Sequence, residues 1–187
     1  CDIRNPRELK RGIKIAKEVC SRVVVERYIQ GNFFRVLTVN YQVVAACRKI
    51  AANVVGDGKR SIKELVEEKN SADLRKPVEK KDATLHEIVI TPSTIKLLKK
   101  QGFEGMDEVP AKGQRVFLQE KLILALGCDI WDVTDKMSKE SKNLFAFLAE
   151  RLNAPFVGFD FICKDIAQSW QDQSCGIIEA NSLPYID

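Results

Sequence analysis

The sequence has a single histidine, His86. Its isolation argues against Ser-His-Asp and Cys-His mechanisms, which need an imidazole beside the nucleophile. His86 reads as a surface or strand residue. None of the six cysteines, Cys1, Cys20, Cys47, Cys128, Cys163 and Cys175, forms a Cys-x-x-Cys pair. A thiolate zinc site is therefore not expected, and the cysteines read as buried, reduced thiols of a cytoplasmic protein. No apolar run approaches the roughly 20 residues of a membrane helix. The N-terminus lacks the apolar core and cleavage site of a signal peptide. Net charge is +4, spread along the chain without an Arg-rich stripe or interleaved aromatics, so nucleic acid is not an expected partner. The chain begins at Cys1 with no Met, and reads as a piece of a longer protein. What is present is 187 residues, 45% hydrophobic and 30% charged, enough for one domain or two small lobes.

Asn5-Pro6-Arg7-Glu8 has the form of a helix start, with Asn5 as cap and Glu8 at the capping-box position. Leu9, Ile13, Ala16 and Cys20 carry that helix to about Cys20. Val23 to Ile29, Phe34 to Val39 and Val43 to Ile50 read as an antiparallel meander, the last two joined by a turn at Asn40-Tyr41-Gln42. Gly56-Asp57-Gly58-Lys59 is a tight loop, and Ser61 with Glu64 is a second capping box. Residues 70 to 82 read as a charged, mobile excursion. Ile88 to Ile90 reads as a short strand, and Thr91-Pro92 opens a helix closed by Gly102, with Ile95 and Leu98 inward. Arg115 to Leu118 and Lys121 to Leu126 resemble strands, and Ile130 to Val133 extends the latter. Lys139 to Leu152 is an amphipathic helix with Leu144, Phe147, Leu148 and Leu152 on its apolar face.

The last two strands carry the chemistry. Pro155 to Cys163 is apolar but for Asp160, and Gly176 to Ala180 is apolar but for Glu179, with Asn181 two residues on. Strand alternation sets Glu179 and Asn181 on one face. Asp160 joins them if the strands are neighbours. Two carboxylates and an amide oxygen suit Mg²⁺, which takes one or two protein carboxylates plus nucleotide phosphates. An unpaired buried carboxylate costs several kcal/mol or shifts its pKa. From the residues alone two arrangements stay open: a bound cation, or salt bridges to Lys or Arg.

Gly158-Phe159-Asp160-Phe161, then Ile178-Glu179-Ala180-Asn181-Ser182-Leu183-Pro184, resembles the closing metal-binding signature of ATP-grasp enzymes. Val24-Val25-Glu26-Arg27-Tyr28-Ile29-Gln30-Gly31-Asn32, with Arg35-Val36-Leu37, looks like their adenine hinge and following strand. Ala51 to Lys59, Ile62-Lys63-Glu64-Leu65 and Ile130-Trp131-Asp132-Val133-Thr134-Asp135 are similar to the cyanophycin synthetase and bifunctional glutathione synthetase branch. The resemblance runs through essentially the whole chain in order. It implies an α+β fold, an antiparallel sheet flanked by helices, with a small helical and irregular insertion at about 56–113. It also implies ATP and Mg²⁺. Asp160, Glu179 and Asn181 match the metal ligands, and Glu26, Arg27, Tyr28 and Ile29 match the hinge that bonds adenine through its backbone. Arg35 and Lys49 match basic positions near the nucleotide or substrate. The implied reaction phosphorylates a carboxylate and lets an amine displace the phosphate, with an amino acid or peptide as substrate and room for a homo-oligomer.

The match departs at three places. The family's glycine-rich loop and the lysine-bearing strands before it would precede Cys1. This piece is therefore expected to bind ATP weakly and catalyse poorly. Phe33 stands where an acidic residue usually holds the ribose. Gln119 to Asp129 replaces an Arg-Asn, Ser-Thr-Gly-Gly stretch, leaving Lys121 to supply positive charge. The alternative reading is a degenerate ATP-grasp module that binds nucleotide or peptide without ligating.

Overall fold

The computed structural model describes residues 3–80, 83 and 85–182. In chain order the elements are α1 (Pro6–Val19), β1 (Asn32–Val39), β2 (Gln42–Ile50), β3 (Asn53–Val55), α2 (Ile62–Asn70), β4 (Arg75–Lys76), β5 (Leu85–His86), α3 (Pro92–Lys100), β6 (Arg115–Phe117), β7 (Asp129–Asp132), α4 (Lys139–Arg151), β8 (Phe156–Cys163) and β9 (Gly176–Asn181). The α+β expectation holds: helices flank an antiparallel sheet of order β7-β2-β1-β8-β9.

The β1–β2 turn forms where the sequence places it. Asn40 (φ 48°) and Tyr41 (φ 63°) are both left-handed, so the turn twists with its strands. One sheet face is apolar by alternation. Phe34, Val36, Phe159 and Phe161 point from it into a core closed by Phe145 and Ala149 of α4. The Phe145 ring lies 5.2 Å from both Phe159 and Phe161. Burying each such side chain contributes about 1.5–3 kcal/mol. A second core gathers Ala52, Val54, Ile62, Leu65, Leu98, Val116 and Leu118 from α2, α3, β3 and β6. The Ser61–Glu64 capping box is formed as expected.

Several expectations are corrected. Val23–Ile29 joins no sheet. It is β-branched but finds no partner strand, and Val24 and Val25 are exposed. The meander is therefore a two-stranded hairpin. Lys121–Leu126 is not a strand either; it ends in a tight helical turn at Leu124–Leu126. Strand β7 pairs with β2 instead. Glu8 caps the Arg4 backbone N–H rather than that of Asn5. The strand expected at Ile88–Ile90 lies at Leu85–His86 and pairs in parallel with Arg75–Lys76, inside the stretch read as mobile. Helix α4 buries Ser141, Phe145 and Ala149, while Phe147 and Leu152 face outward. Small residues at 141 and 149 let the helix settle on the sheet, and Phe147 sits under Arg151, 5.3 Å from its guanidinium carbon.

Candidate metal and nucleotide site

Directly opposed residues of paired strands share a face. The registers Asp132↔Cys47, Cys47↔Arg35, Arg35↔Asp160 and Asp160↔Glu179 therefore set one residue from each of the five strands in a single row. The row lies on the face opposite α4. Asn181 follows Glu179 on that face, opposite Gly158. The β8–β9 ladder slips between Asp160 and Phe161, a bulge beside the two carboxylates of the kind that re-aims side chains at sites.

Arg35 Nε lies 2.9 Å from Asp160 Oδ1, yet its N–H is not aimed at that oxygen, and neither buried atom gains a hydrogen bond. With the Asn181 amide turned to suit its neighbours, its oxygen accepts from Arg35 Nη1 at 2.9 Å and its nitrogen donates to Glu179 Oε1 at 2.7 Å. Burial pushes the Asp160 carboxyl above the usual carboxylate range; Arg35 and Lys49 pull it down, and Glu179 pushes it up. Asp160 is thus a desolvated carboxylate held in an ion pair with Arg35, with no hydrogen bond aimed at Oδ1. Two carboxylates with the amide of Asn181 form a hard oxygen set that fits Mg²⁺. Among the described residues no group of three His, Cys, Asp or Glu gathers.

Lys49 stands two residues from Cys47 on the row's face, opposite Phe33, and its charge is felt at Asp160. The Cys47 thiol stays protonated, because burial raises its pKa against Lys49 and Arg35. Sequence reasoning missed Cys47 in this row. It noticed Asp132 only within the Asp-Val-Thr motif. Asp132 accepts from the Thr134 hydroxyl at 2.6 Å and the Thr134 backbone at 2.9 Å, and Thr134 Oγ1 accepts from the Ala46 N–H at 2.9 Å, tying the chain beyond β7 to β2.

The segment Glu26 to Ile29, expected as the hinge, meets the chain at the entry to β9. Arg27 Nη2 donates to Ser174 Oγ at 3.3 Å. A Cβ on Gly176 would come 2.1 Å from Ile29 Cδ1, so the Ile29 side chain rests on β9 backbone. Glu26, Arg27 and Tyr28 are exposed, and with Val23, Val24, Val25 and α1 they wall a groove of about 560 Å³. Lys121 is not brought to the row. It lines a groove against α3 with Ser93, Lys96 and Lys100. Leu183 and Pro184 of the closing motif lie outside the described residues.

An antiparallel sheet with a helix on one face matches the fold in the crystal structure of a bifunctional glutathione synthetase from Pasteurella multocida, at a TM-score of 0.80 and 31% identity over 98% of the chain. The sequence gives the same relationship. It is 30% identical over 183 residues to cyanophycin synthetase of Trichormus variabilis, matching 98% of the chain. It is 30% identical over 176 residues to the glutathione biosynthesis bifunctional protein of Clostridium perfringens, matching 94% of the chain. No protein-family model matches. The chain is related to the ATP-grasp family through this branch. It spans 20% and 22% of the length of those two relatives and 25% of the crystallised chain.

Proposed function

We propose that this chain carries the metal-binding half of an ATP-dependent carboxylate–amine ligase acting on an amino acid or peptide. The observation that carries the reading is the row Arg35–Asp160–Glu179 with Asn181, in which the buried Asp160 Oδ1 has no hydrogen bond. Asp160, Glu179 and Asn181 would hold Mg²⁺, which would neutralise charge developing on a transferring phosphoryl group. Arg35 and Lys49 supply positive charge on the same face, where a transferring phosphoryl group would be stabilised. The Glu26–Ile29 segment, exposed as far as Tyr28 and outside any ladder, would offer backbone groups to an adenine edge. ATP is the phosphoryl donor: the substrate carboxylate attacks its γ-phosphorus, ADP leaves, and an amine displaces phosphate from the acyl phosphate. Positioning and electrostatics accomplish this without a protein nucleophile, consistent with a protonated Cys47.

A second reading, a module that binds nucleotide or peptide without ligating, draws on Lys121, which lines the α3 groove rather than the row. A screen of the full-length protein against amino-acid pairs, read as phosphate release from ATP, separates the two. The ligase reading expects release only with Mg²⁺ and the right pair. Nucleotide binding with no release from any pair supports the module.

A further inference from the structure

Five free thiols are described, and two of them, Cys163 and Cys175, meet at the same core cluster. Beyond the bulge the β8–β9 ladder runs Phe161↔Ile177 and Ile162↔Gly176. Continued by one residue beyond Gly176, that register would set Cys163 opposite Cys175. Both side chains belong to the apolar face: Cys163 is fully buried in the core of the sheet, and Cys175 packs against the same cluster. Directly opposed residues of an antiparallel pair have Cα atoms about 4.5–5.5 Å apart, inside the span a disulfide requires.

The loop between them is already closed. Gln173 Oε1 accepts from the backbone N–H groups of Lys164 (3.0 Å) and Asp165 (3.1 Å), and its Nε2 donates to the carbonyls of Asp165 (2.7 Å) and Gln168 (2.9 Å). Cys175 Sγ reaches only the Trp170 carbonyl, at 3.3 Å, a weak bond that is readily given up. Little conformational entropy is left to lose when the sulfurs join.

We propose that Cys163 and Cys175 are a built-in dithiol pair that a small disulfide oxidant converts to an intramolecular disulfide, clasping the 164–174 loop. The Cys175 thiolate, the less buried of the two, attacks one sulfur of the oxidant and expels a thiolate. The Cys163 thiolate then attacks Cys175 Sγ and expels the second. One Sγ–Sγ bond forms and the oxidant's S–S bond breaks. The two protein thiols are oxidised by two electrons, the oxidant is reduced to two thiols, and the two protons pass to them. Burial raises both thiols, Cys163 to about 12, so few thiolates are present and exchange is slow. The clasp touches the candidate hinge, since Ser174 bonds Arg27 and Gly176 carries Ile29. The proposal stands whether or not the protein is a ligase.

The test is prolonged incubation of the full-length protein with oxidised glutathione, followed by alkylation and trypsin. Cleavage after Arg151 and Lys164 puts Cys163 and Cys175 on separate peptides. The expected result is the two peptides joined, the protein lighter by two hydrogen atoms, and a melting temperature raised by about 5 °C, all reversed by dithiothreitol. In Cys175→Ser the link and the rise are both lost. Should that variant fold poorly, Cys20→Ser, which removes the exposed thiol, keeps the link and serves as the reference. Cys163 remaining alkylatable in fully oxidised protein overturns the proposal. So does Cys175 carrying only glutathione or joined to another cysteine.

Discussion

Two buried aspartates, Asp129 and Asp160, differ in how completely the protein around them satisfies their oxygens. Asp129, at the start of β7, is saturated. It accepts from Asn53 Nδ2 at 2.8 Å and Lys69 Nζ at 2.7 Å, and it pairs with Arg75, whose other guanidinium nitrogen donates to the His86 carbonyl at 2.6 Å. These bonds join β3, α2 and β4 to the edge of the large sheet. Asp160, on β8, has one misaligned guanidinium and an oxygen with no hydrogen bond. A carboxylate completed by the protein is structural, and one left incomplete is where a ligand would supply the missing charge.

The largest way to sharpen that contrast is Asp129→Ala. It leaves Arg75 and Lys69 facing each other with no anion, and should cost about 3–5 kcal/mol in urea unfolding. A loss below about 1 kcal/mol would make the network dispensable. Asp160→Asn removes a desolvated charge while keeping the side chain's shape. It should move stability by less than about 1 kcal/mol, yet lower Mg²⁺-dependent phosphate release by about a hundredfold. If it destabilises the protein as much as Asp129→Ala does, the two aspartates play one role and the contrast fails. The smallest effect is at Glu64, whose carboxylate is held below the usual range chiefly by the Ser61 backbone N–H and then by the Ser61 hydroxyl. A lowered folded pKa contributes stability that is fully present above the unfolded value of about 4.3 and is lost as pH falls through the folded one. Glu64→Gln should therefore flatten the melting temperature between about pH 5 and 3; an unchanged acid slope would remove the capping box from the account.

How far this was legible differs by element, for physical reasons. The β1–β2 turn and the Ser61–Glu64 cap are local and could be read directly. Asp160, Glu179 and Asn181 were readable because polar residues interrupt apolar strands. The partner of Asp160 was not, since Arg35 comes from a strand far away in sequence. Val23–Ile29 has strand composition, but a strand needs a ladder, and composition does not reveal its partner. In α4, size misled: Phe147 looked like core, whereas Ser141 and Ala149 are buried because they are small. Lys121–Leu126 is broken by Gly127, left-handed at φ 90°, where a Cβ would come 2.5 Å from Ile88 Cα. That contact is invisible in the sequence, as are the long-range partners of Asp129.

The most direct test of the central claim is phosphate release by the full-length protein with Mg²⁺, ATP and its amino-acid pair, comparing Glu179→Ala with the parent. Glu179 is exposed, so the variant should fold and melt as the parent does. Turnover should fall at least about a hundredfold, with partial recovery at raised Mg²⁺. Turnover equal to that of the parent would contradict the assignment of Asp160, Glu179 and Asn181 as the metal site.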